Sequence, residues 1–241
     1  ASTFLSALPV FFPSRLIEVL FLTYLTYVFI AAAGNTINDI FDVKVDKINK
    51  PNRPLPRGAL TLGQAKALTV ALWLVGGLLA FMTSVIAGLI ALVLAALGYA
   101  YAAKVKTLGA AGNFAVASSF SFGMFYGAVV ATESRGYYVL LGDNSFFFLP
   151  TIIWVYYLTA TFVLFGREVI KGIEDLPGDK LRSVRTIARV HGIRIAAIIA
   201  AISNTLGMFF FSSSWFMDGM KIVMLPVVIV GNLAVLISSI T

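Results

Sequence analysis

Apolar residues dominate this chain in long blocks, and polar residues gather into a few short, dense intervals between them. The blocks fall near 3–12, 16–44, 62–83, 85–103, 111–132, 146–170, 187–211 and 220–240. All but the first have the length to cross a bilayer as a helix, which takes about 20 residues at 1.5 Å each. The intervals carry helix-breaking residues: Pro13, Pro51 to Gly58, Ser84, Gly109 to Gly112, Gly142 to Asn144, Pro177-Gly178 and Ser212 to Ser214. Thr61 is placed to cap the helix over 62–83. The pattern predicts an all-α polytopic transmembrane helical bundle with eight visible spans, the first of them partial. The chain opens at Ala1 almost directly in an apolar run and closes inside another at Thr241, so residues 1–241 read as a single domain clipped at both ends.

Composition agrees. Hydrophobic residues make up 59% and charged residues 12%, with a mean hydropathy of +0.93, whereas a soluble domain is about a quarter charged. Cysteine is absent and His191 is the only histidine. Disulfides, thiolate metal sites and multi-histidine zinc or iron centres are thereby excluded. A metal in this chain would be a hard cation held by oxygen, and magnesium fits best.

Alternating crossings make the charge pattern informative. If the interval after the second block faces the cytoplasm, so do the ends of the fourth and sixth. Those regions hold Lys44, Lys47, Lys50, Arg53, Arg57, Lys66, Lys104, Lys106, Arg167, Lys171, Lys180, Arg182, Arg185, Arg189 and Arg194. Of the 18 basic residues, the opposite face keeps Arg15, Arg135 and Lys221. That asymmetry orients the protein in the cell membrane with its basic face in the cytoplasm. It also reads the net charge of +7 as a sign of orientation and of contact with anionic lipid or phosphate, not of nucleic acid.

Most of the acids lie on the same face, in two clusters that end apolar blocks. In the first, Asn38, Asp42 and Asp46 stand at i, i+4 and i+8, and Asp39 joins the last two through i+3 and i+7. A helix puts these on one drifting face, where like charges repel unless a cation intervenes. In the second, Glu168, Lys171, Asp175 and Asp179 share that spacing, with Pro177-Gly178 ending the helix. Magnesium takes one or two carboxylates and completes its shell with water and phosphate oxygens. Around the clusters, the proline-stiffened Asn52-Arg53-Pro54-Leu55-Pro56-Arg57-Gly58 offers two guanidiniums, suited to forked phosphate contacts. Lys104 and Lys106 close the fourth block, and Lys180 follows the second cluster. Either cluster alone would read equally as a solvated helix end with surface ion pairs; two on one membrane face point to a site.

The same residues resemble the UbiA superfamily of intramembrane prenyltransferases. Asn38-Asp39-x-x-Asp42-x-x-x-Asp46, continued by Asp46-Lys47-Ile48-Asn49-Lys50-Pro51-Asn52-Arg53-Pro54-Leu55-Pro56-Arg57-Gly58, is similar to its first aspartate-rich motif. Arg167-Glu168-x-x-Lys171-x-Ile173-Glu174-Asp175-x-x-Gly178-Asp179-Lys180 with Val184-Arg185-Thr186 is similar to the second, and Tyr101-x-x-Lys104-x-Lys106 with Gly112-Asn113 to the segment between them. Many relatives carry an aspartate where this chain has Gly172. Within the superfamily the second motif most resembles that of archaeal digeranylgeranylglyceryl phosphate synthases, while quinone and chlorophyll-precursor prenyltransferases share the style of the first.

The resemblance implies a nine-span bundle whose cytoplasmic loops cap a central cavity. It implies transfer of an isoprenyl group, geranylgeranyl above all, from its diphosphate to a membrane-associated acceptor such as geranylgeranylglyceryl phosphate; an aromatic acceptor is the alternative. Magnesium is the implied cofactor, held by Asn38, Asp42 and Asp46 with a second ion on Asp175 and Asp179. Those four aspartates are the catalytic set. Arg53, Arg57, Lys104, Lys106, Lys171 and Lys180 bind the diphosphate, and Asp39 and Glu168 support the ligands. The expected partners are the isoprenyl diphosphate donor, a lipid-like or aromatic acceptor and membrane lipid, with no nucleic acid. From the residues alone, a transporter of an anionic metabolite stays open as a different class. Transporters place coupling charges near the bilayer midplane, and here the acids end helices.

Overall fold

A computed structural model describes residues 14–133, 151–179, 185–216 and 225–240. Ten α-helices, two short 3-10 turns and their connections make up these residues, with no strand among them. The block expected at 3–12 lies outside the described residues, as does Lys180. Six helical segments have the length and apolarity to cross a membrane, and Leu225–Ile237 adds a shorter apolar helix.

Helix α1, Ser14–Asn49, is 36 residues long and so about 54 Å from end to end. The hydrocarbon core is about 30 Å thick. Its last turns, with the whole first acidic cluster, therefore extend past the apolar slab unless the helix tilts strongly. The apolar pattern places the end near 44; the helix continues to Asn49 because nothing before Pro51 interrupts it.

Helices α2, Leu62–Thr83, and α3, Val85–Ala103, form a tight hairpin. Thr61 caps α2 as expected: its Oγ1 accepts from the Gln64 amide at 3.2 Å, and the Gln64 side chain accepts from the Thr61 amide at 3.0 Å. Ser84 alone joins the two helices. Its amide donates to the Ala80 carbonyl at 3.1 Å, its carbonyl accepts from Gly88 at 3.0 Å, and its hydroxyl caps α3 on the Ala87 amide at 3.0 Å. Ser84 thus engages its amide, carbonyl and hydroxyl within the hairpin and caps α3.

A 3-10 turn, Val105–Leu108, and Gly109 (φ +65°) lead into α4, Ala110–Ser121, and α5, Gly123–Glu133. The block expected as one span at 111–132 is one apolar segment of membrane-crossing length, Ala110–Val130, built of two helices that meet at Phe122. Helix α6 is Thr151–Glu174, followed by the single turn α7, Leu176–Asp179. The block expected at 187–211 is likewise divided. Gly192, at φ +87°, separates α8, Ile187–His191, from α9, Ile193–Ser213. This break lets Ile187 and Ala188 pack into a core with Val169, Ala196 and Ala200, which fixes the end of α6 beneath the second acidic cluster. Helix α10, Leu225–Ile240, completes the described bundle.

Small residues set the α6–α9 crossing. A Cβ on Gly166 would collide with Asn204 Oδ1, and one on Gly207 would stand 2.6 Å from Val163 Cγ2. Ser203 donates to the Phe162 carbonyl at 2.7 Å. Close approach through small residues with a hydroxyl bond across is the usual solution in lipid, where apolar burial gives helices little reason to associate. Leu74, Leu78, Met82, Val85, Phe209 and Val230 stand largely exposed, as expected of side chains that face acyl chains.

Candidate active site

The site forms where the ends of α1 and α6 converge. The helical spacing read from the sequence is realised on α1, whose cluster faces a polar cavity lined by Asn38, Asp42 and Asp46. From α6 come Glu168 and Lys171, from the turn just after it Asp175, and Gly172 is buried beside them. Two contacts tie the clusters together. The Asn49 amide donates to the Asp175 carbonyl at 3.1 Å and to its carboxylate at 3.3 Å, and Lys50 Nζ lies 3.7 Å from Asp175 Oδ1.

Among the described residues, Asp39, Asp42, Asp46, Glu168 and Asp175 each face a cation. Lys106, carried on the 3-10 turn after α3, reaches across to α1. Its ammonium donates to Asp42 Oδ1 and lies 3.4 Å from Asn38 Oδ1, with both charged side chains almost enclosed at 12% and 13% exposure. Arg53 folds back from the proline loop, and one guanidinium nitrogen contacts Asp39 at 2.6 Å and Asp46 at 2.8 Å. Asp46 is the most enclosed of the acids, at 7% side-chain exposure. Glu168 sits between Lys171 at 3.4 Å and Arg167 at 3.5 Å. Asn113 of α4 reaches the Glu168 carbonyl at 3.5 Å.

The polar cavity is continuous in its walls with a larger one of about 690 Å³; Asn38, Lys50, Arg53, Tyr101, Glu168 and Lys171 line both. Gly34 and Phe120 in turn line both that cavity and an apolar pocket between α1, α3 and the α4–α5 break, where Tyr27, Ile30, Leu94 and Tyr126 stand. A second apolar pocket of about 440 Å³, lined by Leu94, Leu97, Phe122 and Phe125, adjoins it through Leu94 and Ser119. Charged and apolar compartments thus share walls along the axis of α1.

Asn38, Asp39, Asp42, Asp46, Arg53, Lys106, Glu168, Lys171 and Asp175 are brought together as the sequence implied. Arg57 and Lys104 are not. Both are exposed and line neither polar cavity. The Arg57 amide donates to the Arg53 carbonyl at 3.1 Å, and its side chain is exposed one turn beyond Arg53. The backbone of Asp179 ends α7, its side chain lies outside the described residues, and Lys180 lies beyond them. Sequence reasoning quoted Asn49, Lys50 and Thr186 within the motifs and gave them no role in the site. The first two were findable, because they stand three and four residues beyond Asp46 and continue its face. Thr186 had its signal in the second motif and stands as the N-cap of α8.

The donors are carboxylates and amides, the ligands a hard divalent cation prefers. Among the described residues, no three acidic or histidine side chains converge on one point. A cation here would therefore take one or two carboxylates and find its other ligands on water and an anionic partner, which is how magnesium is usually held. The ammonium of Lys106, between Asn38 Oδ1 and Asp42 Oδ1, already marks a cation position.

A helical bundle whose long helices have the apolarity to cross a membrane, with a charged chamber sharing walls with apolar pockets, defines a class of integral membrane protein. The profile of the UbiA prenyltransferase family matches residues 1–240. The chain belongs to that family. A digeranylgeranylglyceryl phosphate synthase of Sulfolobus acidocaldarius is 36% identical over 193 residues, covering 80% of this chain and 64% of that protein. The chain spans about half to just under two thirds of the length of the curated relatives it matches. The fold is similar to that of an apo UbiA homologue from Aeropyrum pernix K1, with a TM-score of 0.81 at 20% identity over 92% of this chain and 79% of that one. It is also similar to a UbiA homologue from Archaeoglobus fulgidus bound to DMAPP and Mg2+, with a TM-score of 0.68 at 17% identity over 92% and 75%.

Proposed function

We propose that this chain transfers a geranylgeranyl group from its diphosphate to the hydroxyl of geranylgeranylglyceryl phosphate, with magnesium, at the cytoplasmic face of the cell membrane. The observation that carries the reading is the meeting of two acidic helix ends through Asn49, Lys50 and Asp175, with Lys106 and Arg53 inside the same chamber. Matched synthases from archaea support the acceptor, and the Archaeoglobus homologue that holds DMAPP and Mg2+ supports the donor class and the metal.

Asn38, Asp42 and Asp46 on one side and Asp175 on the other would hold magnesium, with Asp179 as a further ligand. When bound, the metal neutralises charge that develops on the departing diphosphate. Lys106, Arg53, Lys50 and Lys171 add fixed positive charge in a partly enclosed chamber, where it counts for more than in water. The allylic carbon–oxygen bond then breaks toward a delocalised cation, the acceptor oxygen bonds to that carbon, and the hydroxyl proton is released. Leu94, Leu97, Phe122 and Phe125 would seat the isoprenoid chain in the apolar pocket of about 440 Å³ and keep water from the cation.

The test is an acceptor screen on detergent-solubilised protein with labelled geranylgeranyl diphosphate and magnesium. The proposal expects product with geranylgeranylglyceryl phosphate and none with an aromatic acid. Product with the aromatic acid alone would refute the lipid acceptor.

A further inference from the structure

The larger polar cavity, of about 690 Å³, has a stretch of wall that the chamber between the helix ends does not share. Asn35, Arg167 and Glu174 line the first and not the second. Arg167 stands eight residues before Asp175, about 12 Å back along the axis of α6. Its side chain is 72% exposed, although α6 has the length and apolarity of a membrane-crossing helix. A guanidinium on such a helix is costly against acyl chains and is kept, as a rule, where it faces a polar cavity and serves a ligand. Arg167, Lys171 and Glu174 fall at i, i+4 and i+7 and share one face of the helix. Lys171 lines both cavities, so it stands between Arg167 and the chamber. Among the described residues, the carboxylates that face the larger cavity are Asp39, Glu168 and Glu174, and its cations are Lys50, Arg53, Lys171 and Arg167. The first three of these cations also line the chamber; Arg167 belongs to the larger cavity alone.

The proposed acceptor brings an anion of its own. Its glycerol unit is three carbons long, so its phosphate lies within one or two carbons of the hydroxyl that reacts. That phosphate therefore comes to rest near the donor's diphosphate without sharing its place. Two such anions repel in a partly enclosed space, and the second needs a cation that the first does not use. We infer that Arg167 receives the phosphate of the acceptor in the larger cavity, with the Lys171 ammonium standing between the two anions. The planar guanidinium offers paired N–H donors that match two oxygens of a phosphate monoester. Arg167 is thus a specificity-determining residue: it favours an acceptor that carries this phosphate over one with the same hydroxyl and chain but no charge. The inference rests on the prenyl-transfer reading above and names the side chain that recognises the acceptor's head.

The experiment measures initial rates of the detergent-solubilised chain with labelled geranylgeranyl diphosphate, magnesium and two acceptors, geranylgeranylglyceryl phosphate and its phosphate-free counterpart geranylgeranylglycerol. Wild type is expected to prefer the phosphorylated acceptor in kcat/KM by at least about tenfold, the worth of a charge-assisted contact. In Arg167→Met the KM for that acceptor should rise by at least about tenfold while the KM for the donor stays within about twofold, the signature of lost acceptor binding. The preference between acceptors should shrink by the same factor, and Arg167→Lys should keep part of it. Equal kcat/KM for the two acceptors in wild type overturns the inference while leaving prenyl transfer intact, and this measurement decides even if Arg167→Met fails to fold. An unchanged acceptor KM in Arg167→Met overturns it as well. A donor KM that rises as much as the acceptor KM assigns Arg167 to the diphosphate and overturns it too. Absence of product from wild type with either acceptor removes the functional reading itself, and the inference with it.

Discussion

Arg53→Met isolates the pair that holds the proline loop against α1. The guanidinium contacts Asp46 at 2.8 Å and Asp39 at 2.6 Å, with side-chain exposures of 34% for Arg53, 7% for Asp46 and 35% for Asp39. These contacts differ in worth. A charge-assisted bond to an enclosed carboxylate contributes about 1.5–3 kcal/mol, whereas one between groups a third exposed is screened to under about 1 kcal/mol. Losing both, and leaving Asp46 enclosed without this partner, should cost about 2–4 kcal/mol. The penalty sits mostly on the orphaned charge, so Arg53→Met combined with Asp46→Asn should recover about half of it. The four proteins of this double-mutant cycle can be compared by thermal unfolding in detergent, followed by tryptophan fluorescence and circular dichroism. The expected order of midpoints is wild type, double variant, Arg53→Met. A double variant no more stable than Arg53→Met, or an Arg53→Met midpoint equal to wild type, would refute the argument that Asp46 depends on this guanidinium.

Asp42→Asn and Asp175→Asn should each lower prenyl transfer by at least about 100-fold in a radiolabelled product assay with the fold retained, because charge stabilisation of a leaving group is worth several kcal/mol. Chelation with EDTA should abolish transfer, and added magnesium should restore it. Arg57→Ala and Lys104→Ala should keep transfer within about twofold of wild type, since surface charges away from a site contribute little; a large loss in either would move it into the chamber. Gly172→Asp should fold, because a Cβ there meets nothing nearer than Thr186 Cβ at 3.7 Å, and in a Mn2+ titration it should bind metal more tightly than wild type. Gly166→Val should lower the unfolding midpoint, since forcing a side chain into a packed crossing costs about 1–3 kcal/mol or more.

Local periodicity made half of the site legible. Asn38, Asp42 and Asp46 share a face because a helix repeats every 3.6 residues, and no tertiary information is needed to see it. Thr61 was equally plain, as its capping box is a four-residue affair. The link from Lys50 to Asp175 spans well over a hundred positions and depends on how two helices cross, which no local pattern encodes. Arg53 and Arg57 look alike in the sequence; it is Arg53 that folds back onto Asp39 and Asp46 of α1. The breaks at Phe122 and Gly192 were hidden within runs apolar enough to pass for single spans. At Gly192 it is a positive φ, invisible to hydropathy, that turns the chain.

The one-residue junction at Ser84 bears on how the protein enters its membrane. At this turn the amide, carbonyl and hydroxyl of Ser84 are all engaged by neighbouring helical residues, so the junction residue itself presents no polar group without a partner. Helices α2 and α3 can then leave the insertion machinery as one hairpin, with no hydrophilic segment to translocate between them. An epitope or glycosylation acceptor inserted at Ser84 would impose that translocation and separate the pair, so the hairpin is the wrong place to tag this protein and the right place to ask whether two helices insert as one.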